Sequence, residues 1–309
     1  MDETNHSHGH SSGPSHSHGA AGNIGVAFFL NLGFTVLEIF GGLWTNSTAI
    51  LADAVHDLGD SFALGSAWHF ERLSHKSGDV RYSYGYKRFS LAGALFSTIV
   101  LLVGSVLVLS KAVPQLIDPQ PAHATGMAAF AIVGVVVNGL AVLRLRGQEG
   151  LNIRVAAWHL MEDVLGWMAV LAVGVILMFT DLYILDPALS IIITLYILYN
   201  VLKNLKSTMN ILLQGTPEGI DLPALEKELE DVPGVQGLHH AHVWTLEGTE
   251  HIFTCHAILE KDVSKDTLYN IKHQLRGILR QAGIEHTTIE FEYPDQACGI
   301  DTSLACRNP

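Results

Sequence analysis

The sequence predicts an α-helical membrane protein in which six transmembrane helices precede a C-terminal soluble α+β domain. Of its 309 residues, 49% are hydrophobic and only 16% are charged, and the mean hydropathy is +0.30. Soluble domains carry about 25% charged residues, so this deficit of charge indicates a membrane protein. Six apolar stretches each reach the length that a helix needs to cross the hydrocarbon core, about 20 residues. The chain becomes polar and acidic after Gly215.

The six predicted spans differ in how apolar they are. The fourth is the clearest, because Met127–Leu143 contains no charged residue and a single amide, Asn138. The second and fifth are the least apolar, because they contain ionisable side chains. The predicted spans are residues 24–44, 48–71, 89–111, 125–144, 152–179 and 184–206.

Basic residues are concentrated in alternate connections between the spans. They occur after the second and fourth spans and at the end of the sixth, whereas the other connections are nearly bare. Lys and Arg mark the cytoplasmic side of a membrane, so both termini are expected in the cytosol. The residues concerned are Arg72, Lys76, Arg81, Lys87, Arg88, Arg144, Arg146, Arg154, Lys203 and Lys206.

The C-terminal part of the chain predicts a small split α/β sandwich with the element order α-β-β-α-β. Such a small core would be stabilised by association with a second copy. The predicted helices are 221–230 and 267–282, and the predicted strands are 235–246, 251–259 and 286–293. The chain is accordingly divided into a histidine-rich disordered cytosolic arm (1–22), a transmembrane domain (23–208), a cytosolic domain (209–294) and a cysteine-containing tail (295–309).

Charge and cysteine content argue against two other classes of protein. The net charge of -12 disfavours nucleic acid as a partner. Three cysteines, Cys255, Cys298 and Cys306, are too few for a disulfide scaffold, and in the cytosol they would be thiols. The first twenty residues are polar and lack the apolar segment of a signal peptide.

Two pairs of ionisable residues lie within predicted spans. His56 and Asp60 are four residues apart in the second span, and the same spacing separates a histidine and an aspartate in the fifth, His159 and Asp163. Residues four apart share one face of a helix. Each ionisable group within a span costs roughly 2.5–3.5 kcal/mol on insertion scales and usually marks an ion path. A polar cluster that only ties two helices together is the alternative, and the repeated spacing disfavours it.

Two imidazoles and two carboxylates form a donor set that suits tetrahedral Zn²⁺. The absence of sulfur disfavours Cu(I), and the imidazoles disfavour Mg²⁺ and Ca²⁺. Asp53 and Asp57 are weaker candidates and could support the ligands or line the cavity. Glu162 lies about 100° around the helix from Asp163 and is expected to face another surface.

Histidines also recur at the N-terminus, in a Gly- and Ser-rich setting. Such a tract binds metal through its composition rather than through fixed geometry, so we expect a flexible zinc-collecting arm. The remnant of an affinity tag is the alternative, and the irregular spacing disfavours it. The histidines are His6, His8, His10, His16 and His18.

These motifs resemble those of the cation diffusion facilitator family, and in particular its zinc-transporting branch. The resemblance covers residues 24–293 and rests on the segments ADAVHDLGD, YGYKR, WHLMED, DP at 186–187, GTP at 215–217 and HVW at 242–244. It implies a homodimer in the lipid bilayer that exchanges Zn²⁺ for protons at the two His/Asp pairs. It also implies that the cytosolic domain is ferredoxin-like and serves metal binding and dimerisation.

The resemblance further implies a cytosolic metal site formed by His239, His256 and Glu292. Cys298 and Cys306 would join this site, as C-terminal cysteines do in some relatives. Glu290, assigned to the opposite strand face, is expected to be a poorer ligand.

The sequence departs from the family at three places. Ser90 and Gln214 replace acidic residues near the expected dimer junction. Tyr82 and Tyr86 stand where some relatives have the histidines of a second zinc site, so that site is expected to be absent.

These observations predict a secondary transporter that exports Zn²⁺ from the cytosol in exchange for protons, by alternating access. The alternatives are a transporter of another divalent cation, such as Co²⁺ or Cd²⁺, and a membrane-bound metal sensor without transport. An enzyme is not expected, because four protein ligands leave no open position on the metal and the sequence has no H-E-x-x-H motif. The compact loops suggest the inner membrane of a bacterium.

Overall fold

The computed structural model describes residues 17–74, 76, 78–145, 151–261 and 263–294. Within them, six long helices precede a small α+β domain, in the predicted order. The elements are α1 (Ser17–Thr45), α2 (Thr48–Ser74), α3 (Phe89–Ile117), α4 (Ala124–Leu145), α5 (Leu151–Leu177), α6 (Leu185–Leu212), α7 (Leu222–Glu230), β1 (Val235–Thr245), β2 (His251–Leu259), α8 (Lys265–Gln281) and β3 (Ile284–Glu292).

Five of the six long helices are apolar enough, by length and composition, to cross a membrane. These are α1, α3, α4, α5 and α6, as judged over the described part of the chain. The helix α2 is equally long, at 27 residues, but Asp53, Asp57 and Asp60 lower its hydropathy. The predicted fold class, a helical membrane domain followed by a small soluble domain, is confirmed.

The first helix begins earlier than the sequence predicted. Residues 17–22 were assigned to the disordered arm, but they form the first turns of α1. Extending an existing helix by one residue adds one hydrogen bond without a new nucleation cost, and short residues such as Ala20 and Ala21 favour this extension. Four of the five arm histidines, His6, His8, His10 and His16, lie outside the described residues.

The start of α2 is anchored to the start of α6 by one buried carboxylate. Asp186 accepts hydrogen bonds from the backbone N–H of Thr48 at 2.7 Å and of Ala49 at 3.3 Å. It also accepts from the hydroxyls of Ser47 at 2.5 Å and Thr48 at 2.9 Å. The first N–H groups of a helix have no partner within it, so a carboxylate from a neighbouring helix satisfies them. This contact positions the helix that carries His56 and Asp60.

Close packing at Gly134 and hydrogen bonds from Asn31 position the other helices around the site. A side chain at Gly134 in α4 would meet the ring of Trp167 at 2.2 Å, so only glycine allows this packing of α4 on α5. Trp167 is buried one turn after Asp163 on the same helix. On the other side, the Asn31 amide of α1 donates to the backbone oxygen of Asp57 and to the hydroxyl of Ser61, each at 3.0 Å.

The C-terminal domain contains a three-stranded sheet in the order β1-β2-β3 within the described residues. The strand β2 pairs antiparallel with β1 and parallel with β3, and the parallel pair is connected through α8. The apolar faces of α7 and α8 cover the sheet, with Leu229, Phe253 and Leu279 in the core. Cys255 is part of this core, and burial raises the pKa of its thiol to about 12, so it remains a neutral apolar side chain.

The chain separates into two compact units. The first comprises residues 1–72 and 99–198, and the second comprises residues 73–98 and 199–309. The connection between α2 and α3 therefore groups with the C-terminal domain. Asp79 organises this connection, because it accepts hydrogen bonds from the N–H groups of Arg81 and Tyr82 and from the Tyr86 hydroxyl. The backbone bond from Tyr82 and the hydroxyl bond from Tyr86 lower the pKa of Asp79 to about 2.

Candidate metal centres

The four predicted intramembrane residues, His56, Asp60, His159 and Asp163, converge between α2 and α5, and we call them the quartet. The Nε2 atom of His159 lies 2.9 Å from Oδ2 of Asp60, and Nε2 of His56 lies 3.7 Å from the same oxygen. The fourth side chain completes the group, since Oδ1 of Asp163 lies 3.9 Å from Nε2 of His56. One donor atom from each of His56, Asp60 and His159 lies within 4.8 Å of the others.

The spacing of these donors can be compared with that of a tetrahedral zinc site. Zinc bonds to nitrogen and oxygen of 2.0–2.1 Å place neighbouring ligand atoms about 3.3 Å apart. The separations of 2.9, 3.7 and 3.9 Å fall on both sides of this value. These three of the six donor separations are therefore within about 0.6 Å of the value for a tetrahedral site.

The hydrogen bonding of the quartet also suits a cation. Oδ2 of Asp60 is buried and has no hydrogen bond of acceptable geometry among the described residues, although His159 Nε2 is only 2.9 Å away. Two imidazole nitrogens thus surround one carboxylate oxygen, as they would around a shared cation. The rings of His56 and His159 are partly exposed, the latter by 41% of its side chain, so an ion could reach them.

Two further acidic residues of α2 were weaker candidates. Asp53 and Asp57 are both buried, and the structure does not place them within the group of converging donor atoms. Glu162 lies elsewhere, because its Oε1 accepts a hydrogen bond from the Tyr196 hydroxyl at 3.1 Å.

One buried acid, Glu38 of α1, was not predicted. Its side chain is 0% exposed, and neither carboxylate oxygen makes a hydrogen bond of acceptable geometry among the described residues, although the Asp57 carboxyl lies close to it. The signal was available, because Glu38 is the only acidic residue in the predicted span 24–44. An ionisable residue within a span is a functional candidate by default.

A second cluster lies at the edge of the cytosolic sheet. The carboxylate of Glu292 bridges two histidines, with Oε2 at 2.9 Å from Nε2 of His239 and Oε1 at 2.6 Å from Nδ1 of His256. Strand pairing explains the convergence, because His239 lies opposite His256 and Glu292 pairs beside it at Ile258. These are the three residues predicted for the cytosolic site. Cys298 and Cys306 lie outside the described residues.

The electrostatics of this second cluster keep its acid ionised. Burial opposes ionisation of Glu292, but the hydrogen bonds to His256 and His239 outweigh it and lower the pKa of this carboxyl below its usual value. His240 lies next to both histidines, with its ring centroid 5.0 Å from that of His239 and 5.2 Å from that of His256. Burial and the charges of His239 and His256 lower the pKa of His240.

In this cluster the position of Glu290 was predicted wrongly, and the presence of His240 was not predicted. Glu290 does not point away from it: residues two apart on a strand share a face, and its Oε2 lies 3.5 Å from Nε2 of His256. Its side chain is 67% exposed, so it lies at the rim. His240 enters the cluster through a break in the β1–β2 register, where its φ is 50°. A register irregularity of this kind leaves no signal in the sequence.

A bundle of long apolar helices in which histidine and aspartate side chains converge is the arrangement expected of membrane transporters of metal cations. Comparison with known proteins identifies the family within this class. Residues 24–213 match the cation efflux transmembrane domain, and residues 217–293 match the cytoplasmic domain of cation efflux proteins. The chain belongs to the cation efflux family.

Several characterised relatives extend over nearly the whole chain. The Zinc transporter ZitB of Escherichia coli (strain K12) is 32% identical over 305 residues, covering 97% of this chain and 96% of the relative. The Cadmium, cobalt and zinc/H(+)-K(+) antiporter of Bacillus subtilis (strain 168) is 30% identical, covering 94% and 96%. The metal cation efflux system protein CzcD of Cupriavidus metallidurans is 31% identical, covering 93% and 89%.

Among solved structures, the metal-bound C-terminal domain of the CzcD transporter matches part of the chain. It is 30% identical and covers 24% of this chain and 99% of that one, with a TM-score of 0.22.

Proposed function

We propose that this protein exports Zn²⁺ from the cytosol in exchange for protons, by alternating access of the quartet to the two sides of the membrane. The observation that carries the proposal is the convergence of two imidazole nitrogens on one carboxylate oxygen, with Asp163 beside them. Ionisable side chains at bilayer depth are costly unless an ion uses them. A sensor would need no such site, because the cytosolic cluster could bind its metal.

The donor set favours zinc over the other ions of its series. Nitrogen and oxygen ligands in a near-tetrahedral arrangement suit Zn²⁺, which has no geometric preference of its own. Co²⁺ and Cd²⁺ remain the competing substrates, because affinity along the divalent series does not single out zinc. The names of the relatives support both readings, since one is a zinc transporter and another handles cadmium, cobalt and zinc.

Proton exchange follows from the chemistry of the ligands. A metal binds neutral imidazole and ionised carboxylate, so its arrival displaces protons. On the opposite side of the membrane, protons would compete the metal off, and histidine is suited to this because its ordinary pKa is about 6.5. The relative that is named as an antiporter of metal and H⁺ supports the same coupling.

The cytosolic cluster is proposed to bind Zn²⁺ as well. His239, His256 and Glu292 supply two nitrogens and one carboxylate, which fits three positions of a tetrahedral zinc site. A fourth ligand could come from the tail that carries Cys298 and Cys306. We propose that the protein forms a homodimer through its cytosolic domain. It would lie in a bacterial inner membrane, with both termini in the cytosol. The protein would act as a transporter and not as an enzyme.

The test is zinc flux into proteoliposomes under an imposed pH gradient. Wild type should accumulate zinc against its gradient, and Asp60→Asn should lose this flux because it removes the carboxylate that faces both histidines. Glu162→Gln is the matched control, since it neutralises an acid on α5 that bonds to Tyr196 instead. Flux that survives Asp60→Asn would place the transport site elsewhere. An absence of flux in wild type would favour the alternative of a metal sensor without transport.

A competition experiment decides between the divalent substrates. Co²⁺ or Cd²⁺ is added in increasing amounts while radioactive zinc uptake is followed. If zinc is the physiological substrate, Co²⁺ and Cd²⁺ should each inhibit the uptake of radioactive zinc less than unlabelled zinc does at the same concentration.

A further inference from the structure

Glu38 is the most fully enclosed acid in the described part of the helix bundle. Its side chain is 0% exposed, and neither carboxylate oxygen makes a hydrogen bond of acceptable geometry among the described residues, although the carboxyl of Asp57 lies close enough to approach one. Neither Lys nor Arg occurs in α1, α2 as far as Phe70, or α4 as far as Leu143, so within these segments only a protonated histidine such as His56 could supply a positive charge. A carboxylate so placed would be an uncompensated charge in an apolar medium.

The charged groups that act on Glu38 are themselves acidic. They are Asp57 and Asp53 of α2 and, more weakly, Asp163 of α5. The helix α4, which packs on α1, offers no ionisable side chain between Ala124 and Leu143. Glu38 therefore lies near carboxyl groups of two helices, and the third helix supplies no charged side chain.

We propose that Glu38 carries one of the protons that this transporter exchanges for metal, without being a ligand of the metal. The inference rests on the proposed function, since it concerns the coupling of proton and zinc movements. With the quartet free of metal, Glu38 holds its proton on the carboxyl. When a divalent ion binds the quartet, the positive charge nearby favours the carboxylate, and the O–H bond breaks with its electron pair left on oxygen.

The fate of that proton follows from the surroundings of Glu38. Asp57 is the acid that acts on it most strongly, and it adjoins His56 in the partly exposed quartet. The proton would leave through this side to the cytosol and would be replaced when the metal departs on the other side. Glu38 thus loses its proton when a metal ion binds and regains one when the ion leaves, while the quartet binds the ion itself.

The pH dependence of zinc affinity tests this directly. The slope of log affinity against pH equals the number of protons released on binding. In detergent-solubilised full-length protein, Glu38→Gln should reduce this slope, and the dye-detected release of protons, by up to about one proton per zinc. A residue with a merely structural role would lower the affinity equally at every pH and leave the slope unchanged. Glu162→Gln is the matched control and should keep the wild-type slope.

The outcomes separate this inference from the proposed function. A wild-type slope of zero would remove proton exchange altogether, whatever Glu38 does. A positive wild-type slope that Glu38→Gln leaves unchanged would overturn the role of Glu38 alone. Loss of zinc binding at the quartet at all pH values, with binding at the cytosolic cluster kept, would make Glu38 a ligand and would also overturn the proposal.

A second measurement covers the case in which Glu38→Gln does not fold. The infrared difference spectrum of wild type, recorded on zinc addition, should show loss of a protonated-carboxyl band, and Glu38→Asp should shift that band. A spectrum without the band, or a band that Glu38→Asp leaves in place, would contradict the proposal.

Discussion

One carboxylate stands between two imidazoles in each of the two metal clusters, yet the two carboxylates are in different states. Glu292 is hydrogen bonded to both of its histidines, at 2.9 and 2.6 Å. Oδ2 of Asp60 lies 2.9 Å from Nε2 of His159 but 3.7 Å from Nε2 of His56. A metal must therefore replace two hydrogen bonds to the carboxylate in the cytosolic cluster, and one close carboxylate–imidazole contact in the quartet.

The substitution Glu292→Gln tests whether this carboxylate binds zinc in the cytosolic cluster. This change should weaken zinc binding at the cytosolic cluster by at least about 10-fold and lower the zinc bound per protomer, because an amide is a poor zinc ligand. The check is equilibrium dialysis of the full-length protein. Zinc binding at the quartet should persist, since the substituted residue belongs to the other compact unit. Equal zinc content in variant and wild type would show that Glu292 is not a ligand.

The pH range of this binding follows from the ionisation of its residues. The pKa of Glu292 lies below its usual value, so its contribution to stability is present above about pH 4.3 and is lost only as pH falls through the lowered value. Protonation of histidine, with an ordinary pKa of about 6.5, therefore releases the metal first. Wild-type zinc occupancy should accordingly fall between roughly pH 7 and pH 5 while Glu292 is still ionised.

At the scale of elements, α2 depends on a partner outside its own sequence. Its aspartates make it the least apolar of the long helices, and its first N–H groups are held by Asp186 of α6. The helix that carries half of the quartet is thus fixed at one end by a carboxylate and along its length by Asn31. Both contacts come from residues far away in the chain.

Removal of this anchor should destabilise the protein. Asp186→Ala leaves buried donors of Ser47, Thr48 and Ala49 without an acceptor, at a cost of roughly 1–3 kcal/mol. The expected result is a lower melting temperature in detergent and weaker zinc binding at the quartet. Asp181→Ala is the control, because that aspartate is exposed and the hydrogen bond described for its side chain comes from the Tyr183 hydroxyl. Equal melting temperatures for Asp186→Ala and wild type would contradict the anchoring role.

The elements that the sequence predicted well are those with a local signal. Apolar length located the membrane helices, and the repeated spacing of four located the quartet, because both depend on residues within one helix. Glu290 was misassigned because the strand alternation was misapplied, not because the signal was weak. The position of His240 depends on a register break between two strands, and the role of Asp186 depends on packing between α2 and α6. Neither is encoded in a single segment, so neither could be predicted from local patterns.

At the scale of the whole molecule, the connection between α2 and α3 groups with the cytosolic domain and not with the helix bundle. Within that unit, the Lys87 ammonium pairs with the Glu250 carboxylate in the turn between β1 and β2. The ring of Tyr84 contacts that of His286 near the start of β3, with centroids 5.4 Å apart. The chain that leaves α2 is thereby attached to the sheet that carries the second cluster. An exposed ion pair contributes only about 0–1 kcal/mol, so it serves to position this connection rather than to stabilise the fold.

A charge exchange tests whether this attachment matters for transport. Lys87→Glu places two like charges together and should reduce zinc flux several-fold with little change in melting temperature, because surface pairs contribute little to stability. Adding Glu250→Lys recreates the pair with reversed polarity and should restore most of the flux, with a positive coupling energy in the double-mutant cycle. Lys272→Glu, on the exposed face of α8, controls for the change in net charge. High salt should weaken the wild-type attachment in the same direction, since screening acts strongly on exposed charges. Independent, additive effects of the two substitutions would mean that the pair does not link the connection to the sheet during transport.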